Sequence, residues 1–90
     1  MIQREVTVRN RAGLHTRPAA SLVKLAARFH SEFMIEKDGL EINGKSIIGV
    51  MTLAAEQGSI LLLRFAGDDE ADMSAAIVEL FDRGFDESLT

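Results

Sequence analysis

The chain has 90 residues, 47% of them hydrophobic, with a formal net charge of −4 and no cysteine. That size supports one small domain over residues 1–90 with a single core, and the lack of cysteine excludes disulfides and thiolate chemistry. The acidic balance argues against a nucleic-acid-binding face, the near-apolar run Ile60 to Leu63 is too short to cross a bilayer, and Met1-Ile2-Gln3-Arg4-Glu5 carries no signal-peptide pattern, so a cytoplasmic protein is expected.

Residues 2–8 alternate, with Ile2, Val6 and Val8 on one face, Arg4 the exception, and Gln3, Glu5 and Thr7 on the other. This predicts a half-buried strand. Asn10 to Gly13 reads as a loop. A helix is predicted from about Thr16 to Arg28, with Ala19, Leu22, Leu25, Ala26 and Phe29 at helical spacing. Phe33 and Ile35 alternate with Glu32 and Glu36 in a second strand, and Asp38-Gly39 signals a tight hairpin turn. Leu40 to Ile42 returns as a third strand, followed by an Asn43-Gly44 turn.

Ser46 has the character of an N-cap, and Ile47, Val50, Met51 and Ala54 follow it at helical spacing, so a helix of about two turns is expected. Residues 59–65 are the most apolar strand and are predicted to lie inside the sheet. A final helix begins after Gly67-Asp68-Asp69, carries the stripe Met73, Ala76, Ile77, Leu80 and Phe81, and ends near Gly84. Phe85 to Thr90 reads as a loosely held tail. The order β-α-β-β-α-β-α predicts a two-layer α+β domain, with helices on one face of an antiparallel sheet.

Chemistry concentrates in Gly13-Leu14-His15-Thr16-Arg17-Pro18-Ala19-Ala20. Pro18 suits a first helical turn, so His15 falls at a helix N-terminus, where free N–H groups and the helix dipole attract anions. A neutral imidazole there is a nucleophile suited to accepting a phosphoryl group, and the Arg17 fork can pair with phosphate oxygens. The alternative is that His15 merely caps the helix and Arg17 is a solvated charge. His30 has no such surroundings and reads as a surface residue. Ser46 is first an ordinary cap, although a phosphoserine there would also meet a helix N-terminus. Ile48 lies off the face defined by Ile47, Val50 and Met51. It is either an exposed docking residue or a cover for the core edge. Asp68, Asp69, Glu70 and Asp72 crowd a helix start, where acids are favourable without a metal.

The motif around His15 resembles the active-site motif of the HPr family, the histidine-containing phosphocarriers of the bacterial phosphoenolpyruvate-dependent phosphotransferase system. Lys45-Ser46-Ile47-Ile48-Gly49-Val50-Met51 resembles that family's regulatory motif, and the likeness spans essentially all 90 residues. The resemblance implies an open-faced β-sandwich with sheet order 1-4-2-3. It also implies that His15 takes a phosphoryl group on Nδ1 from phosphorylated enzyme I and gives it to EIIA domains. Arg17 and the backbone N–H groups of Thr16 and Arg17 would hold the phosphate. Ser46 matches the target of an HPr kinase/phosphorylase, and Ala20, Lys24, Ile47, Ile48 and Met51 match the docking surface. A transcriptional regulator is a further implied partner. The expected state is a monomer without cofactor or metal.

Two departures bear on this. Ala54 stands where many family members have glycine, and is expected only to tighten the second helix. The ending Leu80 to Glu87 resembles the nitrogen-related branch, whereas the Ser46 motif resembles the sugar-pathway branch, so both branches stay open. Two other classes compete: a regulatory module working through Ser46 with His15 dispensable, and a ligand-sensing ferredoxin-like domain of the same β-α-β-β-α-β order.

Overall fold

The computed structural model describes residues 1–90 as four strands and three α-helices. They run β1 (Ile2–Thr7), α1 (Thr16–Ala26), β2 (Glu32–Lys37), β3 (Leu40–Asn43), α2 (Ile47–Thr52), β4 (Ile60–Ala66) and α3 (Glu70–Asp82), then a 3-10 turn over Gly84–Asp86. The sheet is antiparallel with order β1-β4-β2-β3, so β4 is an interior strand as its apolar run predicts. Its inner residues Leu61, Leu63 and Phe65 are buried, while Leu62 and Arg64 on the open face are half-buried. Phe33 of β2 stacks on Phe65, ring centroids 5.0 Å apart.

The core joins the inner faces of the sheet to Leu22 and Ala26 of α1, Val50 of α2, and Met73, Ile77 and Phe81 of α3. Asp38 and Gly39 adopt φ of 50° and 86°, the paired left-handed backbone that a two-residue hairpin of this kind requires. Helix α1 stops at Ala26, two residues short of the predicted Arg28. There the N–H groups of Arg28 and Phe29 turn to carbonyls three residues back, tightening the last turn.

Three expectations need correction. Helix α2 buries only Val50 of its predicted stripe, because a six-residue helix lying over the edge of the core offers one position inward. Ile47 and Met51 are exposed, and Ile48 is 77% exposed, which decides against its covering the core edge. Ala54 lies beyond the end of α2 with φ of +49°, a conformation that favours glycine, so the residue strains the helix exit rather than tightening the helix.

The C-terminal segment, finally, is held firmly. Phe85 is buried edge-on against Phe81 at 4.9 Å, and the N–H of Arg11 donates to the carbonyl of Ser88 at 2.9 Å. Nε2 of Gln57 donates both to the carbonyl of Arg9 at 2.9 Å and to that of Leu89 at 3.0 Å.

Candidate functional site

The loop before α1 is fixed by its backbone. Gly13 takes φ of +73°, and the N–H of buried Leu14 donates to the carbonyl of Ala55 at 2.9 Å. His15 is the N-cap of α1 in extended backbone, and its carbonyl accepts the helix's first bond, from Ala19 at 3.0 Å. Its side chain makes no capping hydrogen bond, which removes the reading of the imidazole as a cap. The N–H groups of Thr16 and Arg17 have no protein acceptor and sit at the positive end of the α1 dipole.

The imidazole instead turns toward the chain's far end. Nε2 of His15 lies 3.1 Å from Oε1 of Glu87, and Nδ2 of Asn10 donates to the same oxygen at 2.9 Å. The second hydrogen of Nδ2 goes to the carbonyl of Gly13 at 2.8 Å. Asn10 is fully buried, and its Oδ1 finds no partner. An orphaned buried acceptor costs on the order of 1–3 kcal/mol, accepted here so that the amide hydrogens meet Gly13 and Glu87. Burial pushes the Glu87 carboxyl up, but hydrogen bonds from His15 and Asn10, with the nearby charge of Arg17, outweigh it and hold the group below the usual carboxylate range. Glu87 is therefore ionised at neutral pH.

His15, Arg17, Glu87 and Arg11 line an open depression of about 630 Å³ between the start of α1 and the C-terminal segment. Nδ1 of the exposed ring has no protein partner. An exposed imidazole nitrogen, two guanidinium groups and unpaired N–H donors at a helix start are chemically suited to receive an anion beside a potential nucleophile. Sequence reasoning missed Arg11, Asn10 and Glu87. Arg11 stood four residues ahead of His15 in the same loop, whereas nothing local marked Glu87.

The remaining expected residues gather beside this depression. Thr16 Oγ1 lies 4.0 Å from Sδ of Met51, which joins the start of α1 to α2. Ala20 and Lys24 continue the exposed row of α1 begun by Thr16, at i+4 and i+8. With Ile47, Ile48 and Met51 they leave an apolar surface edged by a cation. Ser46 is half-buried, and its Oγ accepts from the N–H of Gly49 at 3.1 Å, so its hydroxyl caps α2. His30 lies apart, at the start of α3. Its ring and the carboxylates of Asp68 and Asp69 offer ligand atoms within 4.8 Å of one another. Both oxygens of Asp69 already accept hydrogen bonds from His30 and Ser31, however.

A family model described as the PTS HPr component phosphorylation site matches residues 2–83. The chain belongs to the HPr family. An HPr of Treponema pallidum is 47% identical over 97% of this chain and 99% of its own length, and one of Xylella fastidiosa (strain Temecula1) 44% over 97% and 98%. The solved HPr of Thermoanaerobacter tengcongensis, 40% identical, superposes with a TM-score of 0.95 over 99% of this chain and all of that one. A second structure from that organism is of an HPr dimer, with a TM-score of 0.76. The chain is thus a phosphocarrier-family protein of the phosphotransferase system, with the HPr fold. The family assignment retires the ligand-sensor reading. No helix is long and apolar enough to cross a membrane.

Proposed function

We propose that this HPr accepts a phosphoryl group on Nδ1 of His15 from phosphorylated enzyme I and passes it to an EIIA domain. The observation that carries the reading is the unpartnered Nδ1 of an exposed ring at the N-cap position of a helix whose first N–H groups, of Thr16 and Arg17, are free, in a depression that Arg17 also lines. Those donors neutralise charge on the phosphoryl oxygens in both the incoming and the outgoing transfer. Docking falls to Ala20, Ile47, Ile48 and Met51, an exposed apolar patch edged by Lys24, that a partner's complementary surface would cover. Incubation with enzyme I and phosphoenolpyruvate should give an acid-labile phosphate on the wild type and none on His15→Ala. Undiminished labelling of that variant overturns the reading.

A second phosphorylation at Ser46, by an ATP-dependent HPr kinase/phosphorylase, is supported by the exposed Ile47, Ile48 and Met51 that follow it. A phosphate on Ser46 would place negative charge beside the docking patch and weaken partners that approach with acidic residues. A purified kinase should yield an acid-stable phosphate on the wild type and none on Ser46→Ala. Failure to modify the wild type removes this second role and leaves the first intact.

A further inference from the structure

Glu87 is joined to His15 by more than a contact distance. The turn that delivers it holds three successive residues in left-handed backbone, Gly84, Phe85 and Asp86 at φ of 61°, 57° and 59°. Two of those are not glycine, and strain of this kind persists only where the surroundings impose it. Burial of Phe85 on Phe81, the Arg11–Ser88 bond and the Gln57–Leu89 bond supply that constraint. Asn10 leaves its side-chain oxygen Oδ1 unpaired while its Nδ2 holds Oε1 of Glu87 in place. The side chain of Glu87 is only 14% exposed, against 43% for His15, so the carboxylate forms the floor of the site and the ring its rim.

We infer that Glu87, oriented by Asn10, is a positioning residue for phosphoryl acceptance at His15. This inference rests on the reading of His15 as the phosphoryl acceptor. A carboxylate can only accept, so the ring donates through Nε2–H, and the lone pair is left on Nδ1, the nitrogen without a protein partner. As that pair forms the Nδ1–P bond, the donor's bond to phosphorus breaks and its electrons stay with the donor. The proton remains on Nε2, and the ring acquires positive charge. Glu87 meets that charge across the 3.1 Å contact and keeps Nε2 from competing as the nucleophile. Onward transfer reverses the same changes.

The test uses phosphoramidate, a small phosphoryl donor that needs no docking surface. Nitrogen-15 NMR of the ring should show wild-type His15 protonated on Nε2 and, after reaction, phosphorylated on Nδ1. In Glu87→Ala the rate should fall roughly tenfold, as expected for loss of one partly exposed charge-assisted hydrogen bond, and some Nε2-phosphohistidine should appear. Glu87→Asp should recover part of the Nδ1 selectivity. Thermal unfolding of each variant establishes that the C-terminal turn still folds. If it does not in Glu87→Ala, the comparison is made with Glu87→Gln, which keeps the shape and removes the charge. Unchanged rate and unchanged site of phosphorylation in the folded variant overturn the inference. So does a wild-type ring protonated on Nδ1. Failure of enzyme I to label wild-type His15 would instead overturn the acceptor reading itself, and the ring's proton position would still report on the Glu87 contact.

Discussion

Oδ1 of Asp69 accepts a hydrogen bond from the backbone N–H of Ser31 at 2.9 Å, and Oδ2 accepts one from that of His30 at 2.8 Å. The Ser31 hydroxyl donates to Oδ1 as well. One carboxylate thus ties the start of α3 to the segment entering β2. The Ser31 hydroxyl, then the His30 N–H, lower its pKa from 3.8 to about 2. A group depressed on folding stabilises the protein above its unfolded pKa, and that stabilisation is lost as pH falls through the folded value. The parent should therefore lose stability between about pH 4 and about pH 2 with Asp69 contributing, and Asp69→Asn should lose less over that window from a lower starting point. Urea midpoints measured from pH 5 to pH 2 check this. Parallel curves would show that Asp69 is not among the titrating groups.

Gly13 and Gly39 separate two costs of adding a methyl group. Both have positive φ, but a Cβ on Gly13 would lie 2.5 Å from the carbonyl oxygen of Ala55, whereas one on Gly39 meets nothing within 4 Å. Gly39→Ala should cost about 1 kcal/mol from backbone conformation alone. Gly13→Ala should cost roughly 2–4 kcal/mol, because the loop must also move away from Ala55. Equal losses in chemical denaturation would mean that the close approach is not felt.

Ala54→Gly works in the opposite direction. It relieves the left-handed strain at φ +49° but adds freedom to the unfolded chain. The balance should be a gain of about 0.5 kcal/mol, seen as a higher denaturation midpoint with an unchanged slope. A loss would place the constraint elsewhere in the exit from α2.

Ser46→Ala removes the oxygen that accepts from the Gly49 N–H and should cost about 1 kcal/mol. Ser46→Asp can still accept that bond and should keep most of the stability. If the two variants are equally destabilised, the cap is not what Ser46 contributes.

The elements that local rules specify were legible in the sequence. Alternation placed β1, Pro18 and the residues after it placed α1, and Asp38-Gly39 placed the hairpin. Helical spacing was a weaker guide at Ile47 and Met51, since a stripe says which residues share a face and not whether anything covers it. His15, Thr16 and Arg17 were legible because they are consecutive at a helix start. Glu87 was not. It lies in a polar, aperiodic stretch, 72 residues from the ring that it meets. Asp69, read as an acid favoured by a helix dipole, owes its place to a bond with a residue 38 positions earlier.

The contact between His15 and Glu87 also bears on how this protein is made. Glu87 leaves the ribosome 72 residues after the histidine, a lag of several seconds at synthesis rates of roughly 5–20 residues per second. Strand β1 likewise waits for β4 before it has a neighbour. A nascent or truncated chain that stops before Phe85 therefore presents the His-Thr-Arg-Pro motif without the carboxylate that the ring meets. In a pulse-chase experiment, the His15–Glu87 contact would mark chains extended past Glu87.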